Sequence, residues 1–181
     1  MEHYYQKLEG WFDWENLYAE AAEMAPPSSI IVEVGCWAGK SLSYLLTELV
    51  NRDRDVQVYG VDHFLGSVNE EWMQKDAARW PMQQKCRDAC MRSGYKHAAL
   101  IPKPSVKASR MFADKSVWLV FLDGSHDYES VRDDLAAWIP KVKPGGRLAG
   151  HDWGAPNVMR AVKEAFPQEI FDPFPRRPPS C

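Results

Sequence analysis

A chain of 181 residues that is 45% hydrophobic has the size of one domain and enough apolar residues for a full core. Its formal net charge of −3 is mild and its basic residues are scattered, which argues against a nucleic-acid footprint or a membrane-surface patch. No apolar stretch is long enough to span a membrane and the polar, aromatic N-terminus MEHYYQKLEGWFDWE lacks a signal-peptide core, so the expected location is the cytoplasm.

Residues 11–24 carry Trp11, Trp14, Leu17, Tyr18 and Ala21 at amphipathic spacing, and Pro26 and Pro27 end that helix. Residues 1–27 thus read as an N-terminal helical cap. Residues 29–34 form a first strand. A helix over 39–50 follows, with Leu42, Leu45, Leu46 and Leu49 facing the sheet. Residues 56–61 form a second strand. The stretch 63–96 is too long for a simple crossover and reads as a lid-like insertion holding Trp72, Met73, Trp80 and Met82. Within it Pro81 suits a helix start and Gly94 a helix end. Trp11, Trp14, Trp72 and Trp80 read first as core and helix-face residues, and otherwise as a lid over an apolar acceptor.

Residues 98–101 are a weak third strand and 105–112 a short helix. Residues 117–122 are a strongly apolar fourth strand ending at Asp123. A helix over 128–139 turns Val131, Leu135 and Trp138 inward and Arg132, Asp133 and Asp134 to water. Lys143-Pro-Gly-Gly reads as a turn, 147–150 as a fifth strand ending at His151-Asp152, and 155–166 as a last helix before a proline-rich tail from Pro167 to Cys181. Cys86 and Cys90 are neighbours on one helix face. With no further soft ligands near, they and Cys36 read as reduced thiols. Strands alternating with helices predict one α/β domain over 1–181: a Rossmann-like, doubly wound, mainly parallel sheet with helices on both faces.

The chemistry concentrates at the strand ends. Glu33 closes the first strand and Gly35 and Gly39 flank the turn into the next helix, where bare backbone admits a ligand to the helix start. Asp62 ends the second strand, where an acid grips a ribose in a nucleotide-type fold. Gly39-Lys40-Ser41 suggests a phosphate loop, hence an NTPase or kinase. That loop needs four residues between its glycines, and here there are three. The dinucleotide fingerprint fails as well, because Cys36-Trp37 replaces its second glycine region.

The remaining pattern, acid-x-Gly-x-x-x-Gly, resembles motif I of the class I S-adenosylmethionine-dependent methyltransferases. Tyr59-Gly-Val-Asp62-His63-Phe-Leu-Gly66 looks like the second motif of one branch. Phe121-Leu-Asp123-Gly-Ser-His126-Asp127-Tyr128, then Lys143-Pro-Gly-Gly and Gly150-His151-Asp152, resemble its later motifs. This is the small bacterial branch near the macrocin O-methyltransferases and cephalosporin-hydroxylase-like proteins, and the match runs from about 29 to 152.

The resemblance implies S-adenosylmethionine as cofactor and a small-molecule acceptor methylated on a hydroxyl oxygen. Glu33, Gly35, Trp37, Gly39, Lys40 and Ser41 would surround the methionine end, Asp62 and His63 the ribose, and Asp123 the reacting end. Where the branch usually has an acid after the third strand, this chain has Lys103-Pro104-Ser105, which leaves adenine to Ser105 and nearby backbone. In metal-dependent relatives the positions of Asp123, His151 and Asp152 hold the cation. Two carboxylates suit magnesium, and a histidine shifts the preference to manganese or iron. His126, beside Asp123, is the expected general base, with helix capping or packing against Tyr128 as its alternative. His151 serves otherwise to orient Asp152, Glu33 to face the helix dipole, and Asp127 to cap the helix it precedes. The branch's sheet closes with two further strands. Here the last is expected to be missing, leaving a non-catalytic domain of this fold as one reading and a homo-oligomer covering the open edge as another.

Overall fold

The computed structural model describes residues 1–67 and 70–167. The expected elements fall into place around five parallel strands: β1 (Ser29–Val34), β2 (Val56–Val61), β3 (Ala98–Ile101), β4 (Val117–Leu122) and β5 (Val142–Gly150), in the order β3-β2-β1-β4-β5. The helices are α1 (Glu15–Met24), α2 (Lys40–Asn51), α3 (Glu71–Arg79), α4 (Met82–Arg92), α5 (Ser105–Ser109), α6 (Tyr128–Trp138) and α7 (Pro156–Ala165). This is the doubly wound α/β arrangement that the alternation predicts. Two apolar layers sandwich the sheet. One joins α1, α2 and α4 through Tyr18, Leu42, Leu45 and Cys86, and the other joins α5 and α6 through Ala108 and Trp138. The four α2 leucines are at most 1% exposed, each burial worth about 1.5–3 kcal/mol.

Register carries the site. Val34 pairs with both Val61 and Leu122, Val61 with Ile101, and Leu122 with Gly150. The residues that follow, Pro102, Asp62, Gly35, Asp123 and His151, therefore leave the sheet in one row. The chain winds outward from β1 to β3 and returns to place β4 on the other side of β1. Gly35 and Asp123 thus flank the topological switch point, where open α/β sheets bind ligands.

Several expectations need revision. The first helix begins at Glu15, not at residue 11, because Gly10 has φ +110° and Trp14 is a non-helical N-cap. Trp14 is buried, whereas Trp11 is 68% exposed and lies off the helix; Trp72 and Trp80 are exposed too, so neither belongs to the core. Lys143-Pro-Gly-Gly does not precede the fifth strand but bulges within it. Val117 pairs with Val142 and Leu119 with Arg147, so the extra β5 residues loop out while both flanks stay bonded to β4. At Gly146 a Cβ would come 2.8 Å from the Trp118 carbonyl, so the bulge requires glycine there. Asp134 faces the sheet tips instead of water, being on the α6 face that also carries the buried Trp138. The tail beyond Pro167, with Cys181 and any last strand, lies outside the described residues. Among those described, no helix is long and apolar enough to cross a membrane.

Candidate functional site

Two clefts meet above the row of strand tips. The first, about 270 Å³, runs from Gly35 and Asp123 past Asp62 and His63 to Ser105 and Asp134. The second, about 550 Å³, lies between the segment Glu9–Trp14 and the tips of β4 and β5, and takes in Lys40, Ser41, Glu70, His126, His151 and Asp152. Gly35, Trp37, Met73, Asp123 and Gly124 line both.

In the first cleft, backbone donors hold the acid. Asp62 accepts the Trp37 N–H on Oδ2 at 2.8 Å and the Phe64 N–H on Oδ1 at 2.6 Å. Both donors have left-handed φ, 43° and 60°, a strained conformation for large side chains that is typically retained at functional sites. Burial raises the Asp62 pKa, and the two N–H groups oppose that rise. Each oxygen keeps a lone pair for a ligand hydroxyl. His63 Nδ1 accepts the Leu65 N–H at 3.0 Å.

Gly35 is glycine because a Cβ there would stand 1.9 Å from the Asp123 carbonyl oxygen: two strand tips touch. Gly39 packs against α4, where a Cβ would stand 3.0–3.1 Å from Cys86 and Ala89. Glu33 is wholly buried behind the turn. It accepts the Tyr18 hydroxyl at 2.6 Å and the Ser41 hydroxyl at 2.5 Å. Burial pushes the Glu33 pKa up to about 8 against the pull of both hydroxyls. Lys40 Nζ donates to the Gly10 carbonyl at 2.9 Å, tying the N-terminal segment over the second cleft.

In that second cleft, side chains hold one another. His126 faces Glu70 through Nδ1 at 3.0 Å and Asp152 through Nε2 at 2.9 Å. A carboxylate thus faces each nitrogen of the ring that the sequence offers as general base. His151 meets Asp13 through Nε2 at 3.0 Å, Asp152 through Nδ1 at 3.1 Å and Asp123 at 3.6 Å, with Trp14 against its ring. Burial disfavours the charged His151 ring, but Asp123 and Asp152 outweigh it and raise its pKa. Burial pushes the Asp123 pKa up to about 7, His151 opposes that and Asp152 adds to it. Asp152 sits at φ +58°.

The trio whose ligand atoms lie within 4.8 Å of one another is Asp123, His126 and Asp152. The expected set had His151 in place of His126. His151 stands beside this trio, with Nδ1 toward Asp152 and Asp123 and Nε2 toward Asp13. Two carboxylates and an imidazole at that spacing fit a divalent cation. Asp127 caps α6 as expected, accepting the Ser130 N–H at 2.9 Å. Sequence reasoning missed Tyr18, Asp13, Glu70 and Asp134. Each is an unremarkable helix or loop residue until the fold sets it against a partner far away in the chain.

A family model described as a methyltransferase domain matches residues 32–153. Among curated proteins, none matches the sequence. Solved structures of similar fold include a Corynebacterium glutamicum protein, 15% identical with TM-score 0.62, the alignment covering 88% of this chain and 73% of that one. CalS11, a TDP-rhamnose 3′-O-methyltransferase of calicheamicin biosynthesis, is 14% identical with TM-score 0.60 over 91% of this chain and 74% of its own. An rRNA methylase from Streptococcus thermophilus is 14% identical with TM-score 0.58 over 89% and 83%.

Proposed function

The chain belongs to this methyltransferase-domain family, and from that footing we propose that it moves a methyl group from S-adenosylmethionine to a hydroxyl oxygen of a small molecule, assisted by a divalent cation. One observation carries the reading: Asp123, on the wall shared by the two clefts, clusters with His126 and Asp152 of the second cleft. A cofactor laid along the first cleft, its sugar on Asp62, brings its sulfonium to that wall, and an acceptor in the second cleft meets it there.

Methyl transfer from a sulfonium is an in-line displacement, so alignment is the main task of the site and is worth about 7–11 kcal/mol. Asp62, held from behind by two N–H groups, anchors the sugar. Glu33 acts through the turn, fixing Ser41 and the start of α2 rather than touching the cofactor. The segment Glu9–Trp14 and α3 wall the second cleft against water. Asp123, His126 and Asp152 would hold a divalent cation, whose contribution would be to lower the acceptor hydroxyl's pKa. Glu70 orients His126, and Asp13 orients His151 against Asp152. CalS11 methylates a sugar hydroxyl on this fold, which supports oxygen as acceptor. The absence of a basic stripe in the sequence favours a small molecule over RNA.

Calorimetry with S-adenosylhomocysteine and with ATP-magnesium, followed by methyl transfer to a panel of hydroxylated acceptors with and without EDTA, tests the proposal. The expected result is binding of the thioether alone and activity that EDTA removes and magnesium or manganese restores. Binding of ATP alone would overturn the methyl-donor reading. Activity indifferent to EDTA would overturn the cation's part. Thioether binding with no turnover on any hydroxylated acceptor, or on RNA only, would overturn the acceptor.

A further inference from the structure

One wall of the first cleft is built by Trp138, Ser105 and Asp134. Trp138, fully buried on α6, donates its Nε1–H to Ser105 Oγ at 2.8 Å. Ser105 and Asp134 line the cleft together, and the Ser105 hydroxyl favours the charged form of the Asp134 carboxylate. Asp134 and Trp138 are four apart on α6, so one helix face presents both to α5. Asp134 lines the cleft together with Lys103, Pro104 and Ser105, and its Oδ2 would stand 3.5 Å from a Cβ at Gly124 on the cleft floor. Its charged neighbours are acids, Asp133 and Asp127, and burial pushes its pKa up to about 6. A carboxylate in that position gains from a hydrogen-bond donor supplied by a ligand.

The row of tips fixes which part of a nucleoside arrives there. With the sulfonium at Asp123 and the sugar at Asp62, the base extends toward the tip of β3, between Ser105 and Asp134. We propose that Asp134, oriented by Ser105 and Trp138, accepts a hydrogen bond from the exocyclic amine of adenine and so selects amino- over keto-purine cofactors. The proposal rests on the S-adenosylmethionine reading above. It supplies from α6 the acid that the sequence lacks after β3. An ionised carboxylate only accepts, so the 6-keto oxygen of hypoxanthine in the same place would face it acceptor to acceptor.

The test is calorimetry of S-adenosylhomocysteine and S-inosylhomocysteine on the wild type, Asp134→Asn and Ser105→Ala. The wild type should bind the adenine form about ten- to a hundredfold tighter, the range for a hydrogen bond to a charged group. Asp134→Asn should erase most of that ratio, because a carboxamide also donates to the keto oxygen. Ser105→Ala should lower the ratio by a few-fold, since the carboxylate stays but loses its orientation. A wild-type ratio near one, or a ratio unchanged in Asp134→Asn, overturns the proposal while leaving the methyl-donor reading intact. Failure of the wild type to bind either thioether overturns both. Should Asp134→Asn not fold by circular dichroism, the wild-type and Ser105→Ala ratios decide.

Discussion

The two clefts share a wall but are organised in opposite ways. In the first, the anchoring acid Asp62 is fixed by backbone N–H groups, one of them two residues away and the other in the adjacent turn. In the second, the histidines are fixed by acidic side chains: Asp13 reaches His151 across 138 positions of sequence, and Glu70 reaches His126. Backbone donors cannot be mutated away and their geometry follows from strand register. Side-chain partners can be exchanged one at a time. The first arrangement suits a constant ligand, and the second suits an acceptor that varies.

The comparison is tested most severely by Asp123→Asn. If the second cleft carries the chemistry, turnover should fall about 10²–10⁴-fold, with cofactor affinity changed by only about threefold or less. Equal losses in both, measured by steady-state kinetics and calorimetry, would make Asp123 a cofactor residue and dissolve the division. The Asp123 pKa of about 7 adds a sign: cation affinity should weaken as pH falls through 7, by about tenfold per unit, as protons compete for the ligand.

Glu33→Gln asks whether the turn depends on a buried acid. The folded chain holds the Glu33 proton up to about pH 8, against 4.5 for the ordinary group. This contribution to stability is therefore complete below pH 4.5 and is lost as pH rises to about 8. Compared with the variant, the wild type should lose on the order of 2–4 kcal/mol across that window, read from urea midpoints at pH 5, 7 and 8.5. Parallel pH profiles would show that Glu33 titrates normally.

Asp62→Ala should weaken S-adenosylhomocysteine binding by about 1.5–3 kcal/mol with little change in acceptor KM. An unchanged affinity would remove Asp62 from the sugar. The smallest effect is expected from Asp13→Asn, which breaks only the outer contact of His151. It should raise acceptor KM by a few-fold, about 0.5–1 kcal/mol, and leave cofactor affinity unchanged. A shift in cofactor affinity instead would mean that the N-terminal segment belongs to the first cleft.

The same contrast explains what was legible in the sequence. All five strands and the positions of Asp62 and Asp123 were readable, because apolar runs ending in an acid encode the row of tips directly. Gly35 was readable as a glycine, but its reason was not, since the Asp123 carbonyl that excludes a side chain is 88 residues away. The contacts of His126 with Glu70 and of His151 with Asp13 were not readable, since each partner is far away in the chain. Asp134 looked solvated because its neighbours Arg132 and Asp133 are. Only the packing of α6 on α5 brings that helix face to Ser105. Features that depend on local chain geometry could be read, and those that depend on two distant side chains meeting could not.

A methyl group at position 35 would have to occupy space 1.9 Å from main chain that no rotamer change can move. That site therefore tolerates one amino acid, and both compartments hinge on it. Directed evolution toward new acceptors should leave it out of every library and spend its diversity on residues 9–13 and 70–73, where the walls are made of exchangeable side chains.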